Sequence, residues 1–242
     1  MLRGSEINHN LLGTPIEKDF EHLPAKWKGV VQRAKEKSLE KSLDFAIQTM
    51  NDRTRPASSD KTHKILVFAT GAGGGTFGLP ALTIELPVTT TIILRSITDI
   101  ARSEGEQIRL LEAKIACLEV FALGGPSKSD DGTETGYFIV RAALARTISD
   151  ATTYIAEKGL AREGAPALVK LIATLASRFG IIVSEKVAAQ AIPLIGAAGG
   201  ALINTIFIDH FQNMARGHFI IRRLERLYDK DLIRQEYDNL DI

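Results

Sequence analysis

The chain has 242 residues, of which 45% are hydrophobic and 24% charged, so it is long enough for one large domain or two small ones with a full core. Its formal net charge of +1 provides no overall field that would attract nucleic acid or an acidic partner. The single cysteine, Cys117, excludes an intramolecular disulfide and favours a reducing, cytosolic compartment. Because the N-terminus lacks the basic start and apolar run of a secretory signal, we expect no export.

Residues 1–60 are predicted to form an arm followed by a basic amphipathic helix. Residues 1–23 are polar and irregular, whereas the segment from Pro24 to Met50 has the apolar spacing of a long helix. Trp27 lies near the start of this helix, and basic residues outnumber acidic ones as far as Lys41. The pattern is typical both of a helix on a membrane surface and of an ordinary surface helix, and both alternatives stay open.

The stretch from Ile65 to Ala101 is the most unusual part of the sequence. It has no charged residue from Ile65 to Ile84, which is about the length that spans a bilayer as a helix. However, the glycines and prolines within it would give up helical hydrogen bonds that lipid cannot replace. We therefore predict two short apolar helices joined by a glycine hinge. The residues concerned are Gly71, Gly73, Gly74, Gly75, Gly78, Pro80 and Pro87.

The same stretch contains a G-x-G-x-x-G pattern at Gly73, Gly75 and Gly78, after the strand-like segment ILVFAT. A dinucleotide site needs a strand, a tight turn and a helix within a βαβ unit. Here the following helix would be broken again at Pro87, and no further βαβ unit follows. The sequence therefore favours the helical hinge over a nucleotide site.

Amphipathic helices are predicted for the middle of the chain, where apolar residues recur at helical spacing. Gly124 to Gly132 reads as an exposed loop between them. The predicted helices are Gln107–Leu123, Thr135–Lys158, Pro166–Phe179 and the shorter Ile181–Ala191.

A second uncharged stretch, Val187–Ile208, leads into a long helix from Ile195 to about Tyr228. Spacing by four and three predicts that one face of this helix, here called the seam, packs on a partner helix. The seam comprises Gly200, Asn204, Phe207, Phe211, Met214, His218 and Ile221. A neighbouring set, Ile206, His210, Asn213, Gly217 and Ile220, is predicted to face inward as well, while Asp209, Gln212 and Arg216 are predicted to point away.

These elements predict an all-α protein with a single helical domain, built around two glycine-hinged apolar segments that pack with amphipathic helices. The domain is assigned to residues 61–230, and residues 231–242 to a charged C-terminal tail. Arg95 and Asp99 lie one turn apart in an otherwise apolar helix, so we expect them to pair.

The two apolar segments also carry a family resemblance. TGAGGGTFGLPAL with ELPVTTTIILRSITDIA, and IPLIGAAGGALINTIFIDHFQNMARGHFIIRRLERLY near the C-terminus, resemble the bacterial EcsC protein family over roughly Ile65 to Tyr228. The family is named after a gene that accompanies an ABC transporter. Its members are often labelled hydrolases or peptidases, but the resemblance implies no catalytic set for this chain. The matching positions are Gly71 to Pro80, Pro87, Arg95, Ser96, Pro193, Gly196, Gly200, Asn204, Phe207, His210, His218, Phe219 and Arg223.

The leading hypothesis is a non-enzymatic cytosolic protein, peripheral to the inner face of the cell membrane. It would bind lipid or a membrane surface, or dock on an integral membrane partner such as a transporter, because exposed apolar area marks such contacts. We expect no cofactor, metal or nucleic acid, and the oligomeric state stays open. The predicted ligand-binding residues are Gly73, Gly75, Gly78, Arg95, Asn204, Phe207, His210 and Arg223.

Two alternatives compete with this hypothesis. The first is a hydrolase that uses histidines of the long C-terminal helix, with His210, His218, Asp209, Asn204 and Asn213 as its catalytic candidates. No G-x-S-x-G or HExxH motif supports it. The second is a compact helical domain whose two apolar segments simply form its central hairpin.

Overall fold

A computed structural model describes residues 25–49, 60–77, 82–123, 136–158, 166–190 and 196–240. Over these residues the chain is helical without any strand, which confirms the all-α prediction and a single helical domain. The α-helices are α1 (Ala25–Thr49), α2 (Asp60–Phe77), α3 (Leu82–Ser103), α4 (Leu111–Glu119), α5 (Gly136–Lys158), α6 (Pro166–Gln190), α7 (Gly196–Leu227) and α8 (Lys230–Asp238). The loop predicted at Gly124 to Gly132 lies outside the described residues.

Helix α1 packs against α3 and α6 through one apolar side. Ala34, Leu39 and Leu43 are buried on that side, together with Ser38, whose hydroxyl donates to the carbonyl oxygen of Ala34 at 2.6 Å. Its basic side chains Lys37 and Lys41 are exposed. Over the side chains described, α1 is therefore an amphipathic helix that contributes to the core of the domain.

Helix α2 from the first apolar stretch and helix α7, which begins in the second, pack against each other as an antiparallel pair. Near one end of the pair, Lys64 contacts Asp209; near the other, Gly71 lies against Gly200. A Cβ atom on Gly71 would overlap the carbonyl oxygen of Gly200 and the side chain of Asn204. Glycine is therefore needed at position 71 because the two backbones approach so closely.

The glycine-rich segment is helical for most of its length. Helix α2 continues through Gly71 and Gly75 to Phe77, so the strand-like interpretation of ILVFAT is wrong and the helix does not break at these glycines. The interval between α2 and α3, residues 78–81, lies outside the described residues. Pro87 does not break α3 either, although it leaves one backbone carbonyl without its usual N–H donor. Nearby, the Thr91 hydroxyl donates to the carbonyl oxygen of Pro87 at 2.8 Å.

Helix α6 is continuous, so the two helices predicted before and after Gly180 are one helix. Gly180 lies against α1, where an added Cβ would be 2.5 Å from Nζ of the buried Lys35. The core between α6 and α7 is aromatic. Its rings meet with centroids 5.1 to 6.1 Å apart and comprise Phe121, Phe179, Phe207 and Phe211.

The predicted charged tail contains a capped helix, α8. The Asp229 carboxylate accepts hydrogen bonds from the backbone N–H groups of Asp231 and Leu232 at 2.9 and 3.2 Å. Ile233 is buried, and the ring of Tyr237 packs on α5. Helix α8 is thereby attached to the domain through a small set of contacts.

Candidate functional site

Three helices bring their least charged halves to one end of the domain, here called the charge-free end. It consists of residues 65–77 of α2, 82–94 of α3 and 196–208 of α7, among which Glu85 is the only charged residue. Antiparallel packing aligns these halves, because His63 on α2 contacts Asp99 on α3 and Lys64 on α2 contacts Asp209 on α7. Glu85 is only 6% exposed, so the end presents no described charge to solvent.

Charged side chains mark the boundary of this end. Lys64 Nζ lies 2.6 Å from the Asp209 carboxylate, and both side chains are about 40% exposed. On the α3 side, the Asp99 carboxylate contacts His63 Nε2 and Arg102 Nη1, each at 3.0 Å. The prediction that Asp99 pairs with Arg95 is therefore wrong. Arg95 is exposed instead, with its guanidinium 5.0 Å from the ring centroid of Phe45.

Large apolar side chains are exposed on all three helices of the charge-free end. On α2, residues 65 and 68 lie on the same outer side, and residues 202 and 206 are one turn apart on α7. Phe68 is one turn from Lys64, and Leu202 is two turns from Asp209, so both lie on the side of the pair where that ion pair faces solvent. The exposed fractions are Ile65 68%, Leu66 49%, Phe68 51%, Ile84 73%, Val88 45%, Leu202 60% and Ile206 52%.

The size of this end suits one membrane leaflet. Residues 65–77 of α2 extend about 20 Å beyond the charged boundary at 1.5 Å per residue. The hydrocarbon layer of one leaflet is about 15 Å thick, half of the bilayer core. Across the described residues, no helix combines the length and hydropathy needed to cross a bilayer.

The predicted ligand-binding residues are not all brought together. Gly73 and Gly75 lie in α2 at the charge-free end, and Arg95 lies at its boundary, while Gly78 is outside the described residues. Arg223 is near the opposite end of α7, where its guanidinium pairs with Glu104 at 2.7 Å. The other three are Asn204 and Phe207, which are buried, and the half-buried His210.

Asn204 has a structural position inside the α2–α7 contact. It is fully buried, and its Nδ2 donates to the carbonyl oxygen of Val67 at 3.1 Å and to Thr70 Oγ1 at 3.3 Å. The predicted seam of α7 is confirmed, since its members from Gly200 to Ile221 are buried or half-buried. Asn204 therefore binds the two apolar segments to each other.

The neighbouring face of α7 was predicted wrongly. Ile206, Asn213 and Ile220 are exposed rather than inward-facing. Gln212, predicted to point away, is fully buried and its Nε2 donates to Ser96 Oγ at 2.8 Å. Of the hydrolase candidates, Asn204 and His218 are about 21 Å apart along the helix axis, so these two do not share one site.

A second polar group lies buried at the other end of the domain, around His218. The Tyr137 hydroxyl is 2.9 Å from His218 Nδ1, while His218 Nε2 is 4.0 Å from Glu119 Oε2. Beside them, Arg141 binds the Glu225 carboxylate with two hydrogen bonds of 2.7 and 3.0 Å. His218 is 1% exposed and Glu119 7%, so these groups meet away from solvent.

Burial shifts the titration of this cluster. Burial raises the pKa of Glu119 to about 7, against the lowering effect of Arg141 and Arg222. Burial also lowers the pKa of His218 well below its ordinary value, and the charges of Arg141 and Arg222 add to this effect. The imidazole is therefore neutral at pH 7. Glu119 was not among the predicted site residues, because it lies in the apolar segment KIACLEVF. The available signal was that it is the single acid in a helical pattern that is otherwise buried.

A cleft of about 270 Å³ opens beside this cluster. Its charged lining is nearly balanced between basic and acidic side chains, and Arg222 and Arg226 both bind Glu106. Because carboxylates offset most of this positive charge, the cleft has little excess charge to attract an anion. The charged lining residues are Arg141, Arg222, Arg226, Lys230, Glu106, Glu112 and Glu225.

Comparison with known proteins gives one result. A family model described as the EcsC protein family matches residues 6–224. No curated protein and no solved structure matches the chain. The match begins well before Ile65, where the resemblance in the sequence starts, and it includes α1.

Proposed function

The chain belongs to the EcsC protein family, and we propose from its geometry that it is a non-enzymatic peripheral membrane protein. The charge-free end enters the cytoplasmic leaflet of a membrane, and the charged boundary stays at the lipid headgroups. The observation that carries this proposal is the set of exposed apolar side chains on α2, α3 and α7. Exposed apolar area of this kind marks a contact with lipid or protein.

The strength of such an interaction follows from the exposed side chains. Full burial of a large apolar side chain contributes about 1.5–3 kcal/mol, so a half-exposed one retains about 1 kcal/mol to gain. The seven side chains together would contribute about 7 kcal/mol, which corresponds to a dissociation constant of roughly 10 µM before ordering costs. The predicted binding is therefore weak and reversible, as expected for a peripheral protein.

The charges at the boundary favour anionic headgroups. Lys64 and Arg102 are paired with Asp209 and Asp99, whereas Lys61 and Arg95 are exposed on the same boundary. The boundary thus has more positive than negative charge. Each basic residue near an anionic surface contributes about 1 kcal/mol, an effect that salt screens.

Flotation on protein-free vesicles tests the proposal. Wild-type protein should float with vesicles made of equal parts phosphatidylcholine and phosphatidylglycerol, and less with pure phosphatidylcholine. The double variant Phe68→Asp/Leu202→Asp should reduce binding by at least about tenfold per substitution, because each carboxylate is costly to insert.

A matched control uses the other end of α7. Ile139 and Leu227 are at least as exposed as Phe68 and Leu202, but Leu227 is the last residue of α7 and Ile139 is two residues from Tyr137, which contacts His218. Ile139→Asp/Leu227→Asp should float like the wild type. Equal loss in both double variants, or a folded wild type that does not float, would contradict lipid binding. In the second case the apolar end would be available for an integral membrane partner.

A further inference from the structure

The His218 imidazole lies between two possible partners at the end of the domain opposite the charge-free end. Tyr137 is hydrogen-bonded to Nδ1 at 2.9 Å, and Glu119 is 4.0 Å from Nε2, beyond hydrogen-bonding distance. His218 Nε2 is buried and has no hydrogen-bond partner among the described residues. A shift of the ring by about 1 Å towards Glu119 would complete that bond and lengthen the one to Tyr137 past the normal limit.

The tautomer of His218 couples its contact with Tyr137 to its contact with Glu119. When the Tyr137 hydroxyl donates to Nδ1, the neutral ring carries its proton on Nε2, directed towards Glu119. An ionised Glu119 accepts this proton in a hydrogen bond much more strongly than a neutral carboxylic acid does. The charge on Glu119 therefore determines which partner holds the ring.

Tyr137 is also a contact between the domain and α8. Its ring lies 5.8 Å from that of Tyr237, and the neighbouring Phe138 ring lies 5.1 Å from Tyr237. Arg234 of α8 is placed over the Phe138 ring at 5.8 Å. Because few core contacts hold α8, a change at Tyr137 is expected to weaken its docking.

We propose that Glu119, His218 and Tyr137 form a proton-operated latch that holds α8 on the domain. With Glu119 protonated, His218 stays bonded to Tyr137 and α8 is docked. When Glu119 loses its proton, the imidazole moves towards the carboxylate, Tyr137 is released and α8 detaches.

The charges around Glu119 set the pH at which the latch operates. Burial has the largest effect and raises the pKa of Glu119 to about 7. Arg141 on α5 and Arg222 on α7 favour ionisation of Glu119, whereas Glu225 on α7 opposes it. Arg178 of α6 is bonded to the carbonyl oxygen of Ala122, near Glu119 in the chain. Together, burial and these charges place the ionisation of Glu119 close to neutral pH, within the pH range of a cell.

Hydrogen–deuterium exchange of the full chain tests this latch. Protection factors, corrected for the intrinsic exchange rate at each pH, are compared for the amides of residues 231–238. In the wild type, protection should fall roughly tenfold between pH 5.5 and 7.5, since each unit of linked titration changes an equilibrium by about tenfold. Glu119→Gln, which cannot ionise, should keep α8 protected at both pH values.

Two further variants make the result unambiguous. Asp150→Asn changes an exposed acid on α5, the helix that contains Tyr137, and it should behave like the wild type. Tyr137→Phe removes the hydroxyl but keeps the ring, so α8 protection should become independent of pH. Protection that does not change with pH in the wild type would overturn the latch. An unchanged pH response in either Glu119→Gln or Tyr137→Phe would do so as well.

Discussion

Replacing Glu119 by glutamine should make the domain more stable at neutral and alkaline pH. The pKa of Glu119 is raised from its ordinary 4.5 to about 7, so the folded protein holds a proton that the unfolded chain has lost. This difference contributes stability that is fully present below pH 4.5 and is lost as the pH rises through 7. The whole effect on the free energy of unfolding is about 3 kcal/mol. Glutamine keeps the shape of the protonated acid and does not ionise, so the variant avoids this loss.

Urea denaturation at several pH values measures the effect. The advantage of Glu119→Gln over the wild type should increase by about 2–3 kcal/mol from pH 5 to pH 8, and it should level off above that range. His218 adds a stability loss below its ordinary pKa of 6.5, because the folded protein keeps it neutral. That loss occurs in both proteins and cancels in the comparison. Stability curves that run parallel over the whole range would refute the argument that Glu119 is desolvated.

Three other substitutions test the packing. Gly71→Ala should destabilise the protein by about 1–3 kcal/mol because its methyl group overlaps α7. Gly217→Ala, whose methyl group would meet no atom of the described residues within 4 Å, should stabilise the protein by about 0.5–1 kcal/mol. Thermal melts that shift upward for both variants would contradict the close approach of α2 and α7. Gln212→Leu should cost about 1–3 kcal/mol by leaving the Ser96 hydroxyl unpaired, and adding Ser96→Ala should recover part of it in a double-mutant cycle; strict additivity would argue against the bond. Asp229→Ala should weaken α8 by about 1 kcal/mol, seen as faster amide exchange in residues 231–238; unchanged exchange would argue against the cap.

Periodicity alone predicted the helices well where apolar spacing was regular. The predicted α1, α5 and α7 agree with the structure to within two residues at each end. The seam of α7 was also correct, because a run of apolar and small residues at helical spacing has only one way to face a core. The helix ends at glycine and proline were less predictable, since tertiary packing kept α2 helical beyond Gly71 and α6 continuous through Gly180.

Polar residues were the harder part of the prediction. The apolar spacing of α7 predicts that Gln212 lies on the outer side of the helix. In the structure α3 covers that side, and its Ser96 binds Gln212. Asp99 was expected to pair with Arg95, but its partner within α3 is Arg102, and α2 supplies His63 as a second partner. Ser96 and His63 each belong to a helix other than that of the residue they bind, and local spacing contains no information about which helix packs there.

The pairing of α2 with α7 also constrains how the chain folds. Asn204 and Val67, which hydrogen-bond to each other, are separated by 137 residues. At synthesis rates of about 5–20 residues per second, the charge-free segment of α2 would wait roughly 7–27 s for its partner to emerge. During that interval its apolar side chains have no α7 to cover them. The nascent protein is therefore expected to need a chaperone or a nearby membrane more than a helical bundle with only local contacts would.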